Sequence, residues 1–164
     1  MRSSPKRKTV ARPSNPAIAQ NAAGGQLVVN RSGGKALPLR DIVDRELKNA
    51  AAGKGANTGI LSELAAHGFE RDELFDLVIP RRTFARRLQT NEPLSPEESD
   101  RAVRLARLAA MAERVFGDGA KAHRWLRKPS RTLAGAIPLI LIKSETGAHL
   151  VEQTLHRIEH GMLA

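Results

Sequence analysis

The chain has 164 residues, a formal net charge of +10 and 41% hydrophobic residues, enough for one or two small domains with a modest core. Only 3% of residues are aromatic, so that core must be built from Leu, Ile, Val and Ala, a mix suited to packed helices. The absence of cysteine excludes disulfides, thiolate zinc sites and cysteine nucleophiles and is compatible with a reducing compartment, so the cytoplasm is the expected location.

In chain order, the charge excess comes first. Up to Arg40 there are eight basic residues and no acid, whereas Asp41 to Ala164 balances 19 basic against 17 acidic residues. The same stretch carries "RPSNP", two Gly pairs and little periodic apolar content, so residues 1–38 are expected to form a disordered basic tail. A basic arm adds sequence-independent attraction to nucleic acid, but a merely solubilising leader reads the same way. Apolar runs such as "IPLILI" at Ile137 to Ile142 are far below the roughly 20 residues that span a bilayer. Neither secretion nor a membrane partner is expected.

After Pro38 the spacing becomes helical. Leu39, Ile42, Val43 and Leu47 predict a first helix, broken by "AAGKGANTG". Thr58 is placed to cap a second segment containing Ile60, Leu61, Leu64 and Ala65, and Gly68 to stop it. "ERDELFDLV" predicts a third short helix with Leu74, Leu77 and Val78 on one face. "IPRRTFARRLQ" follows, with Pro80 suited to a first turn. At about 100° per residue, Phe84 and Leu88 share an apolar face, Arg82 and Arg86 point the opposite way, and Arg81 and Arg87 flank the stripe. Two short helices joined by a tight turn, the second with cations outward, have the layout of a helix-turn-helix. The candidate DNA-binding residues are Arg81, Arg82, Thr83, Arg86, Arg87 and Gln89, since arginine reaches guanine bidentately and clamps phosphates. A solvated basic helix face is the alternative reading of the same spacing.

"LSPEESDRAVRLARLAAMAERVF" is the clearest helix start: Ser95 at the N-cap, Pro96 at the first position and Glu98 closing a capping box. Its two apolar stripes, Val103, Ala106 and Ala110 beside Leu105, Leu108, Ala109 and Ala112, suit a helix shared between domains or subunits, and a homodimer is expected both from that surplus and because helix-turn-helix domains read two half-sites about one helical turn apart. "GDG" ends it; "AKAHRWL" predicts a short helix, "RKPSRTLAGAIP" a loop, Pro138 to Lys143 a helical turn, and "TGAHLVEQTLHRIEHG" a terminal helix with Ala148, Val151, Leu155 and Ile158 in one stripe. Gly161 closes it. Trp125 is expected in the core.

No enzyme is expected. His156 and His160 are four apart with Glu152 and Glu159 nearby, but without Cys or HExxH they read as a solvated face, so no metal is assigned. His67 and His123 read as polar helix-end residues, Glu97 and Glu98 as capping groups, and "GKGANTG" lacks the strand and the Lys-Ser/Thr of a phosphate loop. No cofactor is implied.

The order of the pieces from Ser95 onward resembles the C-terminal domain of Xre/ParS-like antitoxins. The similarity rests on Trp125-Leu126, Pro129, Gly135, Pro138-Leu139, Gly147, Val151-Glu152, Leu155, Arg157-Ile158 and Gly161, and "IPRRTFARRLQTNEPLSPEESDRAVRLARL" resembles the same family's helix-turn-helix. Ser130 and Ala136 depart from the loop pattern, where Asn and a second Gly are usual. The resemblance implies an all-α protein, with residues 39–94 a DNA-binding domain and residues 95–164 a small helical toxin-binding domain. It also implies an antitoxin that covers the active-site entrance of an NAD-consuming RES-domain toxin and represses its own operon at operator DNA. By the same resemblance the toxin would meet Glu152, Arg157, His160, Met162 and Leu163. A stand-alone helix-turn-helix regulator and a helical adaptor without a DNA role remain alternative readings.

Overall fold

The computed structural model describes residues 36–162, so the expected disordered tail and Leu163 fall largely or wholly outside the described residues. Among these, the chain is entirely helical: α1 (Leu39–Ala51), α2 (Gly59–Ala66), α3 (Arg71–Leu77), α4 (Arg81–Thr90), α5 (Pro96–Phe116), α6 (Gly119–Arg127), a 3-10 turn (Arg131–Leu133), α7 (Pro138–Leu141) and α8 (Glu145–Glu159). None is long and apolar enough to cross a membrane.

The long helix α5 is the spine. Its start forms because Ser95 Oγ accepts from the Glu98 amide while the Glu98 carboxylate accepts from the Ser95 amide at 2.7 Å, and Gly117 stops it at φ +64°. Its alanines, Ala102, Ala106, Ala109 and Ala112, are buried with Leu105 and Leu108, and small side chains let neighbours approach from two sides. It packs against α1 and α2 of the first half and against α6 and α8 of the second. Most of the doubled stripe is therefore covered within one chain, with Val103 and Ala110 half-buried, so the expectation of a dimer is carried by the two half-sites a helix-turn-helix reads rather than by the α5 surface.

One continuous core runs from Leu39 to Leu155, with no break where the two expected domains meet. Ion pairs tie its edges. Arg104, Arg107 and Arg114 on α5 face Glu145, Glu152 and Glu159 on α8, so acids at seven-residue steps ladder two helices that run in the same direction. Arg127 of α6 grips Glu73 of α3 with two hydrogen bonds of 2.6 and 2.7 Å and donates a third to the Gly68 carbonyl. Lys143 reaches Asp76 at 2.6 Å.

Several local expectations change. Thr58 makes no cap; Asn57 Oδ1 accepts from the Gly59 amide at 2.8 Å instead, because an Asx side chain reaches two residues forward. Pro80 sits one residue before α4 rather than in its first turn. The loop after α6 contains a 3-10 turn. Asp118 and Ser144 cap α6 and α8 through the Lys121 and Gly147 amides. Gly68, as expected, follows α2 at φ +93°. Trp125 is half-buried, its ring 5.6 Å from Phe116.

Candidate functional site

Between α3 and α4 the chain turns through Val78, Ile79 and Pro80 while the Val78 amide still bonds Leu74. Val78, Ile79 and Phe84 are all buried, and Phe84 lies 5.8 Å from Phe75 of α3. The turn is thus anchored from both sides, which fixes how α4 projects. Arg81, Arg82, Arg86 and Gln89 are exposed on it and Thr83 is half-buried. None of the three arginines has an acidic partner among the described residues. Three uncompensated guanidinium groups on a rigidly set helix are a cationic face able to engage phosphates or base edges.

Two members of the predicted stripe depart from it. Leu88 is 43% exposed, and Phe84 is the residue of α4 that is buried in the core. Arg87, expected as a flanking DNA contact, turns inward: its Nε lies 2.8 Å from Glu98, and its Nη1 donates to the Pro93 carbonyl at 3.0 Å and approaches Glu92. The Glu98 partner already closes the α5 capping box, so Arg87 ties α4 to the start of α5. The turn between them is held by the Leu94 amide on the Ala56 carbonyl and the Ala56 amide on Ser99 Oγ. A Cβ on Gly55 would collide with the Leu94 carbonyl oxygen there, so that position requires glycine.

At the other end of the chain, the residues expected to share one outward side of α8 do not. Glu152 faces α5 and pairs with Arg107 at 3.4 Å, lining a groove of about 510 Å³ between α1, α5 and α8 with Val43, Met111 and His156. Arg157, His160 and Met162 are exposed; Leu163 lies outside the described residues. The reason is angular: Glu152 and Arg157 are five residues apart, about 140° around a helix. His156, Glu159 and His160 come together, with ligand atoms within 4.8 Å of one another, all exposed. The Glu159 carboxylate already has Arg114 at 3.2 Å, which opposes a cation there.

His123 departs from its reading as a helix-end group. It is buried in α6, edge-on to Phe69 at 4.7 Å, with neither ring nitrogen hydrogen-bonded. Burial, and then the nearby Arg127 charge, push its pKa below the usual histidine value. Beside it, burial would raise the Glu73 carboxyl, but the Arg127 and backbone hydrogen bonds outweigh this and hold it below the ordinary range. This joint between α3 and α6 escaped the sequence reading, because residues 54 apart share no local spacing.

Comparisons with known proteins match both halves. Residues 48–107 match the antitoxin Xre-like helix-turn-helix domain, which contains α2 to α4 and the first half of α5. Residues 111–161 match the antitoxin Xre/MbcA/ParS C-terminal toxin-binding domain. Among curated proteins, an "Antitoxin Xre" of Pseudomonas putida is 42% identical over 52% of this chain and 54% of its own length. An "Antitoxin Xre" of Yersinia enterocolitica is 37% identical over 52% of this chain and 59% of its own. A "Prs ADP-ribosylating antitoxin" of Sphingobium sp. is 28% identical over 62% and 70%. The chain thus spans little more than half the length of the first two relatives. An anchored helix-turn-helix runs into the second matched domain along one shared helix, so over residues 48–107 and 111–161 the chain has the two domains of an Xre/ParS-like antitoxin.

Proposed function

We propose that this protein neutralises a cognate RES-domain toxin by covering the entrance to the toxin's active site, and represses its own operon by binding operator DNA through α4 as a homodimer in the cytoplasm. The observation that carries the reading is the pairing of parts: a helix with three unpaired arginines set by a buried turn, joined rigidly to a domain matched as toxin-binding. In this reading Arg81, Arg82, Arg86, Thr83 and Gln89 meet DNA, Arg82 and Arg86 foremost, while Arg87 holds the helix in place. Arg157, His160 and Met162, with Leu163 beyond the described residues, meet the toxin. A cover works by excluding substrate and needs no catalytic group of its own.

The toxin's chemistry is supported by one relative named for ADP-ribosylation. Transfer of ADP-ribose takes it from NAD, so an NAD-consuming partner fits that name. The test is co-expression of the toxin encoded by the adjacent reading frame, with and without this chain. Growth should collapse with the toxin alone and recover with both. A variant carrying Arg82→Glu and Arg86→Glu should still rescue growth while losing operator binding. If the wild-type chain binds operator but rescues nothing, the protein is a stand-alone regulator.

A further inference from the structure

We propose that His123 makes the contact between the two matched domains sensitive to acid: proton uptake by its ring opens the joint between α6 and the turn that connects α2 to α3. The opening does not depend on the antitoxin reading; only its effect on operator binding does.

His123 is 9% exposed, and neither ring nitrogen has a hydrogen-bond partner among the described residues. A neutral imidazole carries one donor and one acceptor, and leaving both unmet costs what a phenylalanine or leucine in the same place would not. The edge contact with Phe69 at 4.7 Å accounts for the ring but not for its nitrogens. The ring is seated on the turn itself, since a Cβ added to Gly68 would lie 3.4 Å from its Nε2.

The charged and titratable groups that face the ring are Arg127 of α6 itself, Glu73 of α3, Glu113 of α5 and His67 at the end of α2. Most of the acceptors among them are already engaged. Glu73 holds Arg127 and the Glu70 amide, the Gly68 carbonyl holds Arg127, and Glu113 lies 3.8 Å from the His67 ring. The His67 backbone and both carboxylates favour the charged ring, but burial, first, and then Arg127 outweigh them. In an open joint the ring meets water and regains its ordinary affinity for a proton. The open form therefore binds the proton more tightly, so the joint stays closed above about pH 6.5 and opens as pH falls below it.

Side chains make this joint, which lets it open by itself. The helices α3 and α6 are not among the closely packed pairs; α6 packs on α5 and α7, and α3 on α2. What ties them is the Arg127 grip, His123 against Phe69, and Lys143 on Asp76. Because α3 leads into the turn that sets α4, an open joint also frees the arginine-bearing helix.

Hydrogen exchange at pH 7.5 and 5.5, corrected for the intrinsic rate, reads the opening directly. The Phe69 and Leu74 amides, bonded to the Leu64 and Glu70 carbonyls, should exchange up to about tenfold faster at pH 5.5, the most that a freed histidine gives over this interval. They should also exchange faster than residues 105–112 of α5. Equal rates for both would mean that the joint opens only when the whole chain unfolds, which overturns the proposal. His123→Phe should abolish the pH effect, with His123→Leu as the second variant if the larger ring does not fit and circular dichroism as the check of fold. His67→Gln should keep it; the reverse pattern would make His67 the sensor and the proposal wrong. The ratio of operator dissociation constants at pH 5.5 and 7.5 should be larger for the wild-type chain than for His123→Phe. Equal ratios overturn the effect on α4, whereas no operator binding at either pH overturns the DNA-binding reading and leaves the joint to be decided by exchange.

Discussion

Arginines seven residues or fewer apart on one helix have opposite duties here, and the difference is whether an acid lies within reach. Arg82 and Arg86 face solvent unpaired, whereas Arg87 meets Glu98 with side chains only 15% and 8% exposed. Substituting Arg82 and Arg86 with glutamate should weaken operator binding and flatten its dependence on salt, because phosphate contacts release counterions. Arg87→Ala should instead lower thermal stability, by about 1–3 kcal/mol, since it strands a nearly buried carboxylate. A fluorescence-anisotropy salt series and a melting curve on each variant separate the two roles. His123 supplies a pH signature. Its folded-state pKa lies below the unfolded value of 6.5, so the unfolded chain binds the proton first as pH falls. Stability is full above about 6.5 and declines as pH drops toward the folded value. Melting temperatures at pH 7.5 and 5.5 should show this decline, and His123→Phe should reduce it.

At the level of the element, α5 and α8 are set by different devices. The reciprocal Ser95 and Glu98 bonds start α5, so Ser95→Ala should destabilise the chain by about 1 kcal/mol in a denaturant titration. Gly147 does something a cap cannot. It is in the first turn of α8 with ordinary backbone angles, yet the Leu141 carbonyl leaves no room for a methyl group. Gly147→Ala should therefore cost more than Ser95→Ala despite alanine's better helix propensity, because α7 must shift off α8. If Gly147→Ala proves neutral or stabilising by denaturant midpoint, the close approach of α7 is not required.

Across the whole molecule, the two matched domains are joined by more than a linker. They share α5, and α6 reaches back to α3, the first helix of the helix-turn-helix, through Arg127, Glu73 and the Gly68 carbonyl. With side chains 32% and 18% exposed, this bidentate pair is partly shielded from solvent. A double-mutant cycle on Glu73→Gln and Arg127→Met should return a coupling of about 1–2 kcal/mol. Both single variants should also loosen α4 and weaken operator binding, although neither residue is on its exposed face. Operator affinity equal to wild type in both would show that the joint stabilises the fold without positioning the helix.

Much of this was legible in residue order. The helical periods from Leu39 onward, the Ser95-Pro96-Glu98 start, the stripes of α5 and α8 and the arginine cluster at 81–87 each depend on spacing within a turn or two. Local geometry sets such spacing, so one sequence suffices to read it. What the order of residues could not decide depends on which surfaces meet. Whether Arg87 points to solvent or to Glu98, whether Leu88 is covered, whether Glu152 is outward or laddered to Arg107, and that His123 is buried against Phe69 all turn on contacts between separate elements of the chain. Helical periodicity specifies a face but not its occupant, and only packing in three dimensions assigns one.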